Sequence, residues 1–100
     1  MSVVEPTQVV DVAFRNMEAR FWRTVAETLG RVFANGPEQA VDFCRRLETY
    51  REQLARASAE EQLLVYHSEP LDVAADLAGA KITRNHIDAY LELVQERAEA

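Results

Sequence analysis

An all-α, bundle-like fold is predicted by three features of this 100-residue chain. Apolar residues recur at steps of three and four, the prolines fall between such stretches, and no segment alternates as a half-buried strand would. The implied architecture is a long antiparallel helical hairpin followed by a short helix and a C-terminal helix pair. About five helices then make a single domain spanning residues 1–100.

The first helix is expected over residues 7–34. Val10, Phe14, Met17, Phe21, Val25, Leu29 and Val32 form one stripe, and Trp22, Ala26, Leu29 and Phe33 widen the apolar arc in its second half. At about 1.5 Å per residue such a helix spans about 42 Å, and one neighbour would not cover so broad a face. Asn35 and Gly36 suit a left-handed C-terminal cap, and Pro37 suits the first position of a second helix over 37–57. Its inward stripe reads Ala40, Phe43, Cys44, Leu47, Tyr50 and Leu54. So short a connection folds the two helices back as a hairpin.

The remaining elements start at recognisable caps. Ser58 with Glu61 has the spacing of a capping box, opening a helix over 59–66, although nothing in "LARASAEEQ" itself forces a break from helix two. Glu69 before Pro70 takes the N-cap of a helix over 70–78, Asp72 sits on its positive end, and Gly79 closes it. Ile82, Thr83 and Ile87 have the positions of a hydrophobic staple around a Thr N-cap. That helix covers 84–97, with Ile87, Tyr90, Leu91 and Val94 inward and the last residues fraying.

Composition narrows the function classes. Hydrophobic residues make up 48% and charged residues 28%, too apolar for disorder. The net charge of −6 disfavours nucleic acid and anionic membrane. No apolar run has membrane-spanning length and the start "MSVVEPTQVV" has no secretory pattern, so a cytoplasmic protein is expected. The single cysteine, Cys44, rules out an internal disulfide and a cysteine metal cage, and reads as a small core hydrophobe.

Four constellations carry possible chemistry. His67, Glu69, Asp72, Asp76 and His86 have metal-ligating or acid–base types, with a metal site through His67 and Glu69 the sharpest form. They lack the Glu-x-x-His and His-Glu-x-x-His spacings, and within residues 66–79 helix punctuation leaves only His67 unaccounted for. No glycine-flanked nucleophile or phosphate-cradling loop is present. Residues 71–95 read as helix, glycine-containing turn, helix, the outline of a DNA-binding helix-turn-helix presenting Arg84 and Asn85. Asp88, Glu92 and Glu96 on the same helix would then face phosphates.

The fourth constellation is the first helix, where Arg15, Arg20, Arg23 and Arg31 alternate with Asp11, Glu18 and Glu27 around a heavy aromatic stripe. A mixed face suits packing against protein rather than lipid. The expected function is therefore a non-catalytic protein–protein interaction module, an adaptor, regulator or assembly factor. It associates through the broad face of the hairpin with a second copy (a homodimer) or a larger protein. Phe14, Phe21, Trp22, Phe33 and His67 are its partner-binding candidates, and no cofactor, metal or small-molecule substrate is implied.

Overall fold

A computed structural model describes residues 6–99, with side chains over 14–98. All five expected helices are present, and no strand occurs among the described residues. Helix α1 runs Pro6–Thr28 and continues as a π-helical turn, Leu29–Phe33. Then come α2, Pro37–Ala55, α3, Ala59–Tyr66, α4, Pro70–Ala78, and α5, Arg84–Glu99. The side chains of Val10 and Asp11 lie outside the described residues, as does Ala100 at the end expected to fray.

Local chemistry explains the boundaries. The amides of Arg56 and Ala57 reach back three residues, to Gln53 and Leu54 oxygens at 3.1 and 3.0 Å, which tightens and ends α2. Ser58 is extended and its Oγ accepts the Glu61 N–H at 3.2 Å, so α3 is a separate helix. Gly79 is left-handed, with φ 67°, and caps α4 as expected. Thr83 caps α5 reciprocally: its Oγ1 accepts the His86 N–H at 3.3 Å while its own N–H donates to His86 Nδ1 at 3.1 Å. Histidine here does the work of the usual glutamate.

The end of α1 differs from expectation. Asn35 and Gly36 form no left-handed cap; instead Ala34 is extended and its N–H closes the π turn on Leu29 O at 2.9 Å. Upstream, Thr28 and Thr24 hydroxyls bond back to the carbonyls of Thr24 and Arg20, at 2.7 and 2.9 Å, competing with the regular ladder. Gly30 lies inside this segment, exposed.

The core joins Trp22, Val25, Leu29 and Phe33 to Phe43, Leu47 and Leu54 of α2, Leu71, Val73, Ala74 and Ala75 of α4, and Tyr90 of α5. Helix α2 returns antiparallel to α1, bringing Tyr50 and Arg51 beside Trp22. The arms of this hairpin are splayed, and the most extensive packing of α1 is on α4, where Ala74 and Ala75 permit close approach.

Several side chains expected inside are outside. Cys44 is exposed, as are Met17, Ile87, Leu91 and Val94. On α5 the inner stripe is His86, Tyr90, Leu93 and Arg97, one residue out of register with Ile87, Leu91, Val94 and Ala98. The more polar stripe faces inward because each polar group has a partner there. His86 stacks on Phe33, Tyr90 donates to Glu69, and Arg97 binds Glu27 and Thr24.

Candidate interaction surface

Tyr66, at the end of α3, organises the open end of the hairpin. Its ring meets Phe14, Phe21 and Trp22 edge-on at 5.8, 5.4 and 5.9 Å, the arrangement that aromatic quadrupoles favour. Its hydroxyl accepts the Trp22 Nε1–H at 3.1 Å. Trp22 is therefore a satisfied core residue, and Phe33 is buried against His86. Neither ring offers a free anchor for a second chain. Phe21 is half-buried, while Phe14 stands at the exposed edge with Met17, one turn further along the same face of α1.

On the other side of Tyr66, α3 exposes Leu63 and Leu64, at 48% and 69%. The run Leu63-Leu64-Val65-Tyr66 carries the signal for this surface, since one face of an eight-residue helix cannot bury four consecutive apolar residues. Phe14 and Met17 on α1 and Leu63 and Leu64 on α3 are thus left exposed on the two helices that meet at Tyr66.

The titratable candidates are dispersed. His67 is the exposed C-cap of α3, holding Leu63 O through its backbone N–H at 3.0 Å. Glu69 heads α4, but its carboxylate accepts the Tyr90 hydroxyl at 3.2 Å rather than capping the helix. Burial, then the Glu69 charge and that hydrogen bond, push the Tyr90 phenol up to about 12. No group of three His, Cys, Asp or Glu that could hold a metal ion exists among the described residues.

Arg84 and Asn85 are exposed at the start of α5, as the DNA-binding alternative requires. However, α4 and α5 each pack mainly on α1 and its π-helical end rather than on each other, and Asp88 and Glu92 are also exposed. Among the described residues no helix is long and apolar enough to cross a membrane.

Two of the arginine-lined surface clefts each hold more than one arginine. One, of about 420 Å³, lies between α2 and α4 and includes Arg45, Arg46, Tyr50 and Asp76. The other, of about 660 Å³, lies between α1 and α5 and is lined by Arg20, Arg23, Thr24, Glu27, Val94, Arg97 and Ala98. In the second, Arg97 is committed: Nε donates to Glu27 at 3.0 Å and Nη1 to Thr24 Oγ1 at 2.7 Å. This hydrogen bonding, against a smaller opposing effect of burial, keeps the Glu27 carboxyl below the ordinary range, with the charges of Arg97, Arg31 and Arg23 adding to it.

No protein-family model matches the chain, and no curated protein or solved structure proves similar to it.

Proposed function

We propose that the protein is a non-catalytic interaction module, and that the surface around Phe14, Met17, Leu63 and Leu64 is covered by a second copy of the chain. The observation that carries this reading is incomplete burial of large apolar side chains: Phe14, Met17, Leu63 and Leu64 are 36%, 48%, 48% and 69% exposed, and a partner's surface would remove them from water. Methionine, phenylalanine and leucine are side chains that stabilise such contacts, and a two-fold pair lets the apolar rim face itself.

Light scattering coupled to size exclusion tests this at about 100 μM, where any association tighter than that is visible. The expected result is a dimer that becomes a monomer in the Leu63→Lys, Leu64→Lys double variant. Both side chains are exposed, so the fold is retained. A wild-type monomer at that concentration overturns self-association.

A further inference from the structure

The α1–α5 groove has its own chemistry, separate from the residue 14–17 and 63–64 surface. Its apolar strip is the outward stripe of α5: Ile87, Leu91 and Val94 are 43%, 56% and 39% exposed, and Ala98 follows at the same spacing. Steps of four, three and four residues make a continuous ridge against which a second helix packs. Val94 and Ala98 continue into the cleft, where Arg20 and Arg23 of α1 form the facing wall.

The two flanks of this stripe differ in charge. On the α1 side stand Arg20 and Arg23, neither of which is in a salt bridge among the described side chains, Arg23 acting on Glu27 through its charge alone. On the far side of α5, Asp88 and Glu92 are exposed. In a chain of net charge −6, two arginines beside an unpartnered apolar stripe are a local reversal of sign. They discriminate among occupants, because like charges set against each other across an interface cost free energy.

We infer that this groove binds an amphipathic helix of another protein, one with an apolar stripe at steps of three and four and acidic residues along the border that meets Arg20 and Arg23. A second copy of this chain would bring Glu92 and Asp88 toward the arginines only in a parallel pair. An acidic partner helix instead places carboxylates within reach of both guanidinium groups while covering Leu91 and Val94. Charge-assisted pairs at the rim give the orientation, and the apolar stripe gives the affinity.

The test uses two synthetic helical peptides of about 18 residues with the same leucine stripe, one bordered by glutamates and the other by lysines. Both are fluorescein-labelled and titrated by anisotropy. The protein carries Leu63→Lys and Leu64→Lys, so self-association through the other surface plays no part. The expected result is saturable binding of the glutamate peptide, at least about tenfold tighter than the lysine peptide. Amide shifts are expected along α5, binding is lost in Leu91→Glu, and the preference inverts in Arg20→Glu with Arg23→Glu. All three substituted positions are exposed, and circular dichroism checks that the variants fold. Absence of saturation below about 1 mM, equal affinity for the two peptides, or indifference to Leu91→Glu overturns the proposal. A dimer that persists in Leu63→Lys with Leu64→Lys and is lost in Leu91→Glu would assign the groove to a second copy and overturn the proposal. Displacement of the peptide by a short DNA duplex also overturns it, because the arginines would then serve phosphates.

Discussion

Trp22 shows how a residue can combine the marks of an interface anchor with a core role. It is large, aromatic and in the middle of a long helix, yet its indole N–H is satisfied within the chain by the Tyr66 hydroxyl. Tyr66→Phe keeps the ring packing and removes the acceptor, so it is expected to cost about 1 kcal/mol. Urea unfolding followed by the fluorescence of the single tryptophan measures this. Tyr90 gives a second prediction through its phenol, pushed up to about 12, chiefly by burial and then by Glu69. A raised folded-state value means that the native protein holds this proton more tightly than the unfolded chain does. Its contribution is fully present below the ordinary tyrosine value near pH 10 and is lost as pH rises from there toward 12. Urea midpoints across that window are expected to fall more steeply in the wild type than in Tyr90→Phe. Equal slopes would show that folding does not raise the Tyr90 phenol.

For the helices, the divide between what was legible in the sequence and what was not follows the range of the interactions. Ser58, Glu69-Pro70, Gly79 and Thr83 mark their boundaries because capping involves groups within a few residues. Which stripe of a helix is buried depends on distant partners. Reading α5 by apolarity selects Ile87, Tyr90, Leu91 and Val94, of which Tyr90 alone is buried; the core takes the stripe that joins it to His86, Leu93 and Arg97, whose polar members find Phe33, Glu69, Glu27 and Thr24. Ala74 and Ala75 lie in the helix that the DNA-binding outline pairs with α5, yet they allow α4 to approach α1. The apolar run Leu63-Leu64-Val65-Tyr66 stands out in the sequence, but the contact of Tyr66 with Phe14 reaches across more than fifty residues. Two glycines give a paired prediction for these elements. Gly30 has ordinary negative φ and open space where a Cβ would go, so Gly30→Ala is expected to stabilise by about 0.5–1 kcal/mol. Gly79 holds φ 67° at the end of α4, so Gly79→Ala is expected to destabilise by about 1 kcal/mol despite equally open space. Thermal or urea unfolding of the two variants should move in opposite directions.

At the scale of the whole molecule, the attachment of α5 decides whether the groove exists, and that attachment is unequal along its length. Near its end Arg97 binds the Glu27 carboxylate through two nitrogens and Thr24 through a third contact, with side-chain exposures of 28% and 39% for the ion pair. Arg31 reaches Glu96 in a pair whose members are 53% and 59% exposed. Solvent screens the second pair, and Arg31→Ala is expected to leave stability close to that of the wild type. Arg97→Ala leaves Glu27 without its main donor and Thr24 without its guanidinium, and is expected to cost about 1–2 kcal/mol. The lowered Glu27 carboxyl adds a pH signature. Its stabilisation is present above the ordinary carboxylate value and is lost as pH falls through the lowered one, when protonation weakens its hold on Arg97. Protection of α5 amides from hydrogen exchange, relative to their intrinsic rates at each pH, should therefore fall on acidification in the wild type, start low and change less in Arg97→Ala, and follow the wild type in Arg31→Ala. Equal responses in all three proteins would remove Arg97 as the clamp. Because Arg97 also lines the cleft with Arg20 and Arg23, the same substitution that frees α5 should abolish binding of the glutamate-bordered helix. A protein in which α5 opens but peptide affinity is unchanged would mean that the groove is not built by α1 and α5 together.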